Sequence, residues 1–140
     1  MHVRLIAVGR LRESYLVAAA ADFRKRLRPY HRLEEIDVRD DDAILRHVEA
    51  GEETWLLERT GTQLSSEGLA RKLDALQTSG RSRITLIVAG AFGAPQAVAE
   101  RADFLWSLSE LTFLHEWARI IVLEQFYRAA KISKNEPYHH

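Results

Sequence analysis

Three polar residues near the C-terminus, His115, Glu116 and Arg119, have the types and spacing that could do chemistry. They open a segment with helical periodicity, and the N-terminus of a helix attracts anions and carboxylates. His115 and Arg119 are four residues apart, so they share one helix face. A histidine that caps the helix or packs against it explains the same spacing, and both interpretations stay open.

A glycine-containing turn, Ala89-Gly90-Ala91-Phe92-Gly93, follows an apolar run over residues 84–88. Such a run is typical of a strand buried on both faces. Open α/β sheets bind ligands where strands end, and glycine lets the backbone approach a ligand closely. The turn matches neither the dinucleotide fingerprint nor the P-loop. A plain strand-to-helix connection is therefore the alternative to a ligand site.

The segment after the last predicted strand is too apolar for an ordinary surface loop and too irregular for a strand or helix. It consists of Leu108, Ser109, Glu110, Leu111, Thr112 and Phe113. An apolar loop without periodicity usually lines something, so this loop is predicted to line a ligand cleft.

Several common chemistries are excluded or disfavoured. The chain has no cysteine, which excludes disulfides and thiolate metal sites. His115 has no second histidine four residues later, and the terminal Tyr138-His139-His140 could be a tail, so no metal is predicted. No nucleophile-elbow serine motif is present.

Composition predicts one soluble domain spanning residues 1–140, with 46% hydrophobic and 29% charged residues. No apolar run is long enough for a membrane span and no signal-peptide pattern is present, so a cytoplasmic location is expected and no membrane partner. The zero net charge argues weakly against a free-standing nucleic-acid binder. Bases crowd residues 24–32, either complementing a helix dipole or forming an RNA-phosphate surface.

Alternating patterns predict an α/β fold with a mostly parallel sheet and helices on both faces. Strands are predicted over 2–8, 33–38, 54–58, 84–88 and 104–108. Helices are predicted over 13–27, 42–50, between Ser65 and Gly80, over 95–101 and over 115–131. Gly61 is expected to turn the chain after the third strand.

Over its whole length the chain resembles the RlmH family of SPOUT-class methyltransferases, which methylate N(3) of a pseudouridine in 23S ribosomal RNA. The resemblance is carried by these residues: Leu5-Ile6-Ala7-Val8-Gly9, Leu57, Gly61, Gly90, Gly93, Trp106-Ser107-Leu108-Ser109, Leu111-Thr112-Phe113, His115, Arg119, Glu124-Gln125, Tyr127-Arg128-Ala129 and Pro137-Tyr138-His139. It implies a C-terminal deep trefoil knot, the SPOUT or α/β knot, which composition would never suggest. It also implies a homodimer that acts on the assembled ribosome.

The resemblance implies that S-adenosyl-L-methionine binds in the knot. The cofactor residues carried over are Leu57, Ala89, Gly90, Gly93, Leu108, Ser109, Glu110, Leu111, Thr112 and Phe113. The catalytic candidates implied are His115, Arg119, Tyr138 and His139, with Tyr138 or His139 positioning the base or removing its proton. Arg119 and Arg128 could hold phosphate or stabilise charge on the base. An ordinary helix ion pair with Glu124 is the alternative for Arg128.

The chain departs from the family pattern at four positions. Ala89 stands where the family usually has glycine, Ala91 where it has proline or serine, and Leu114 where it has proline. His140 stands where a basic residue follows the Tyr-His pair. These changes leave an alternative from another class, a catalytically silent ribosome- or RNA-binding module of the same fold. Without the resemblance, a flavodoxin-like nucleotide binder is the other alternative.

Overall fold

A computed structural model describes residues 1–139 as strands that alternate with helices. The strands are β1 (His2–Val8), β2 (Arg32–Val38), β3 (Glu53–Gln63), β4 (Arg83–Val88) and β5 (Phe104–Ser107). The helices are α1 (Ser14–Leu27), a 3₁₀ helix (Asp41–His47), α2 (Ser66–Thr78), α3 (Gln96–Arg101) and α4 (His115–Ser133). None of the helices in the described part of the chain is long and apolar enough to cross a membrane.

The five strands form one parallel sheet in the order β2-β1-β4-β3-β5. Because every pair is parallel, the carboxyl ends of all five strands meet at one edge of the sheet. The connections that follow the strands therefore gather at this edge, which we call the carboxyl edge. This arrangement confirms the predicted mostly parallel sheet.

Helices cover both faces of the sheet, as predicted. Leu5 and Leu86 point to the face that α1, α2 and α4 cover. Ile6 and Ile87 point to the other face, which the 3₁₀ helix and α3 cover. These central strands need apolar side chains on both faces, which explains the continuous apolar runs in the sequence.

The third strand is longer than predicted, and Gly61 lies within it rather than at a turn. β3 continues to Gln63 and pairs with β5 on both sides of an irregularity between Leu57 and Thr62. A Cβ at Gly61 would lie 2.5 Å from the carbonyl oxygen of Leu105, far inside van der Waals contact. Gly61 is therefore required by the close approach of β5.

The segment predicted as a helix over 42–50 is a shorter 3₁₀ helix. Its N-cap is Asp40, whose side chain accepts a hydrogen bond from the Ala43 amide at 3.1 Å. Ile44 is its one buried residue and anchors it to the sheet. The aspartates after β2 therefore start a helix and bring it to the carboxyl edge.

Candidate functional site

An open cleft of about 530 Å³ lies at the carboxyl edge, between the segments that follow β3, β4 and β5. Of the predicted cofactor residues, the cleft is lined by Leu57, Ala89, Gly90, Gly93, Leu108, Ser109, Leu111, Thr112 and Phe113. Glu110 does not line it, although its carbonyl oxygen accepts a hydrogen bond from Arg59 at 3.4 Å. Three separate stretches of sequence thus converge on one site.

Among the cleft residues that sequence reasoning missed are Glu58, Arg59, Trp106 and Ala118. Glu58 is the last residue of the strand predicted over 54–58, and Arg59 lies in the part of β3 beyond it. Trp106 lies in β5, and Ala118 lies one turn into α4. The continuation of β3 past Glu58 was the missing signal for Arg59, because it carries this charged side chain to the cleft.

The glycine turn over residues 89–93 is stabilised by one hydrogen bond within its own backbone and by one to a side chain elsewhere in the fold. The amide of Gly93 donates to the carbonyl oxygen of Gly90 at 3.1 Å, and Gly93 has φ +88°, a conformation that side chains disfavour. The amide of Gly90 donates to the carboxylate of Asp41 at 3.0 Å. Asp41 belongs to the 3₁₀ helix, so it ties the turn to a different part of the fold.

The loop over residues 108–114 is ordered by hydroxyl groups. The Ser107 hydroxyl lies 2.8 Å from the Arg59 carbonyl oxygen and 3.0 Å from that of Ser109. The Leu111 amide donates to the Ser109 hydroxyl at 3.0 Å. The loop is therefore shaped by short polar contacts while its apolar side chains stay exposed.

Large apolar side chains form an exposed rim around the cleft. The rim consists of Phe92, Leu111, Phe113 and Leu114, of which Phe92 is fully exposed. Contiguous exposed apolar side chains of this kind commonly mark a site that binds a ligand or another protein.

His115 is the first residue of α4 and lines the cleft. The N-cap of α4 is Leu114, and no side chain caps the helix. His115 is thus not the capping residue, and its half-buried ring lies where a ligand in the cleft can reach it.

Arg119 lies one turn further along α4 but is buried, with only 4% of its surface exposed. Its guanidinium pairs with Asp37 at 2.9 Å and donates to the carbonyl oxygen of Gly9 at 3.4 Å. It therefore joins α4 to the ends of β1 and β2. In the described residues Arg119 therefore does not line the cleft.

Tyr138 and His139 lie against the middle of α4, away from the cleft of their own chain. The Tyr138 hydroxyl donates to Glu124 at 3.2 Å, and the His139 ring contacts Glu67 at 2.5 Å and Arg128 at 3.0 Å. Arg128 is thirteen residues beyond His115, which is about 20 Å along a helix.

Arg128 makes a two-pronged contact with Glu124, at 2.9 and 2.6 Å. The hydrogen bonds that Arg128 donates to the Glu124 carboxylate raise the pKa of the Arg128 guanidinium. Burial, reinforced by the Glu124 charge, raises the pKa of the Tyr138 phenol, which is therefore neutral at physiological pH. Arg128 thus has the helix ion pair that was the alternative to a phosphate contact.

Comparison with known proteins shows the family to which this chain belongs. Residues 1–139 match the profile of a family described as "Predicted SPOUT methyltransferase". The chain belongs to the SPOUT methyltransferase family. Within this family, it is 37% identical to the "Ribosomal RNA large subunit methyltransferase H" of Halothermothrix orenii, over 99% of both chains. It is 42% identical to the protein of the same name from Gloeobacter violaceus, over 100% of this chain and 99% of that one.

These relatives confirm the resemblance to the RlmH family over the full length. Among solved structures, a probable methylase family protein from Haemophilus influenzae Rd KW20 is similar, with a TM-score of 0.57. The similarity covers 99% of this chain and 70% of that chain at 10% sequence identity, so it shows a shared fold alone.

Proposed function

We propose that the protein is an S-adenosylmethionine-dependent methyltransferase that modifies N(3) of a pseudouridine in 23S ribosomal RNA of the assembled ribosome. One observation carries the proposal: nearly all the cofactor residues implied by the family line a single cleft at the carboxyl edge. The full-length similarity to large-subunit RNA methyltransferases supports the substrate. A deep C-terminal trefoil knot, as the family implies, belongs to the same proposal.

The cleft suits S-adenosylmethionine in size and chemistry. Its volume of about 530 Å³ falls in the range of small-molecule sites. Apolar side chains of the 108–114 loop can enclose the adenine, while the backbone of the Ala89–Gly93 turn offers polar groups. The Glu58 carboxylate can accept hydrogen bonds from ribose hydroxyls. When bound, the cofactor supplies a methyl group attached to a positively charged sulfur, and no metal is needed.

The chain's own residues must then place the base and remove its proton. N(3) carries a proton that leaves as the new nitrogen–carbon bond forms. His115 lies in the cleft and can orient the base or the cofactor. Tyr138 and His139 are the candidates for base positioning and proton removal, and the raised pKa of the Tyr138 phenol favours base positioning for that residue. Holding the reacting atoms in line can lower the barrier by about 7–11 kcal/mol.

A homodimer is part of the proposal, because one chain does not bring all the candidates together. Tyr138 and His139 lie away from the cleft of their own chain. The exposed apolar rim around the cleft offers a surface for a second copy. Pairing through this rim would let the tail of one protomer complete the cleft of its partner.

The catalytically silent alternative rests on the departures at Ala89, Ala91 and Leu114, and backbone geometry weakens it. Leu114 has φ −59°, the value that proline enforces, so the helix entry keeps its shape. Asn135 is the one non-glycine residue with positive φ among residues 1–139, so neither alanine strains the turn. The departures therefore leave the cofactor turn intact.

Calorimetry with S-adenosylmethionine tests the cofactor site. A Gly90→Trp variant should displace the turn that lines the cleft, because a Cβ at Gly90 already lies 3.5 Å from the Asp41 carboxylate and 3.6 Å from Val8 and leaves no room for an indole on that side. Thr78→Trp, at the exposed end of α2, is the matched control. We expect binding by the wild type and the control and none by Gly90→Trp. Equal binding by all three proteins would place the cofactor elsewhere.

A further inference from the structure

A second groove, of about 640 Å³, lies at the carboxyl edge beside the cleft. The connections after β1 and β2 form it, and its lining comprises Gly9, Arg10, Leu11, Arg12, Asp37, Val38 and Arg39. We call it the arginine groove. It adjoins the cleft because β1 lies between β2 and β4 in the sheet.

We propose that the arginine groove binds the phosphodiester backbone of the substrate RNA beside the target nucleotide. This inference rests on the proposed function and names residues that hold its substrate. It gives the enzyme a phosphate-binding surface that neither Arg119 nor Arg128 supplies.

In the described part of the chain, the arginine side chains of the groove are free to contact phosphate, whereas several other basic side chains are already paired. Ion pairs already engage Arg24, Arg26, Arg119, Arg128 and Lys131, including members of the basic run over 24–32. Within residues 1–139, no ion pair engages Arg10, Arg12 or Arg39, and all three are exposed. A phosphate can therefore contact these guanidinium groups without displacing an internal partner.

The carboxylates around the groove already accept hydrogen bonds or form ion pairs within the protein. Asp37, the one acidic residue of its lining, pairs with buried Arg119 at 2.9 Å. The Glu116 carboxylate accepts the Arg12 amide at 2.5 Å, and Asp40 caps the 3₁₀ helix. Asp41 is hydrogen-bonded to the Gly90 amide. The side chains that face into the groove are thus dominated by arginine, which forks onto phosphate oxygens.

Two exposed aromatic rings favour a nucleic acid strand over a free phosphate. Tyr15 and Trp117 lie with their ring centroids 6.0 Å apart, at the first turns of α1 and α4. The contact between the Arg12 amide and Glu116 ties them to the groove. Proteins that bind single-stranded RNA combine such a basic track with aromatic faces on which bases stack.

The test compares two variants that each remove three positive charges from exposed side chains. Arg10→Gln/Arg12→Gln/Arg39→Gln changes the groove. Lys25→Gln/Arg28→Gln/Arg32→Gln changes the opposite edge of the sheet, at the end of α1 and the start of β2. The second variant also tests whether the basic run over 24–32 binds RNA. Equilibrium binding to large ribosomal subunits is measured from about 0.1 to 1 M KCl, with sedimentation of each protein alone.

Three lost phosphate contacts should reduce the steepness of log affinity against log salt by about 2. Over the tenfold range from about 1 M to 0.1 M KCl, this difference lowers the affinity of the variant at 0.1 M KCl by about 100-fold relative to the wild type. We expect this for the groove variant and less than about a threefold change for the control, since affinity should fall only where phosphate is contacted. Equal losses in both variants would show an effect of net charge alone and overturn the inference. No loss in the groove variant, or its conversion from dimer to monomer, would also overturn it.

Methyl transfer and calorimetry separate this inference from the proposed function. If wild-type protein binds ribosomes through the groove but transfers no methyl group, the proposed function fails and the groove assignment stands. If wild-type protein methylates ribosomes and the groove variant binds them normally, the groove assignment fails alone. Cofactor binding should be unchanged in both variants, because none of the six substituted residues lines the cleft.

Discussion

Asp41 offers the sharpest mutational test of how the cofactor turn is held. Its carboxylate accepts the Gly90 amide at 3.0 Å from a helix that is distant in sequence. A hydrogen bond to a charged group contributes about 1.5–3 kcal/mol, and truncation leaves the amide without its partner. Asp41→Ala should therefore weaken S-adenosylmethionine binding by about 10-fold or more, because about 1.4 kcal/mol corresponds to a factor of ten.

The assay is calorimetry at several temperatures below the thermal transition of each variant. Asp41→Asn keeps an acceptor oxygen and should restore most of the affinity. Asp40→Ala removes the cap of the same 3₁₀ helix and should lower stability by about 0.5–2 kcal/mol with a smaller effect on binding. Cofactor affinity of Asp41→Ala within twofold of wild type would refute the positioning role. Equal losses in Asp41→Ala and Asp40→Ala would show that the helix, not the hydrogen bond, holds the turn.

Three further predictions concern stability. Gly61→Ala should destabilise the protein by about 1–3 kcal/mol, because the added Cβ meets the Leu105 carbonyl; a thermal transition equal to wild type would contradict this. Burial lowers the pKa of His31 to about 4, below its ordinary 6.5, so the unfolded state binds more protons as pH falls through 6.5. The free energy of unfolding should drop by about 2 kcal/mol between pH 7.5 and 5, and His31→Leu should abolish that part of the drop in urea titrations. Leu114→Pro should be neutral or stabilising by up to about 1 kcal/mol, since Leu114 already has a proline-like φ; strong destabilisation would show that the backbone must adjust there.

The sheet and the cleft were predictable because their signals are local. Continuous apolar runs mark β1 and β4 as strands buried on both faces, and alternation with helices predicts a parallel sheet. The cleft follows from the turn over 89–93 and the loop over 108–113, which follow β4 and β5, the strands on either side of β3. The resemblance to a family joined these pieces into one site.

The sequence could not show contacts between residues that are far apart in the chain. Arg119 has the spacing of an active-site residue, yet its partner Asp37 lies in β2 and holds it in the interior. Gly61 looks like a turn glycine until β5 is placed against it. Asp41 is one of three consecutive aspartates, and only the fold brings it to Gly90.

Methyl transfer from labelled S-adenosylmethionine to large ribosomal subunits, followed by mass spectrometry of the 23S RNA nucleosides, tests the central claim most directly. The account predicts a methyl group on N(3) of a pseudouridine, with far less transfer to a protein-free transcript. A protein that binds the cofactor but methylates neither substrate, or that methylates another atom, would contradict it.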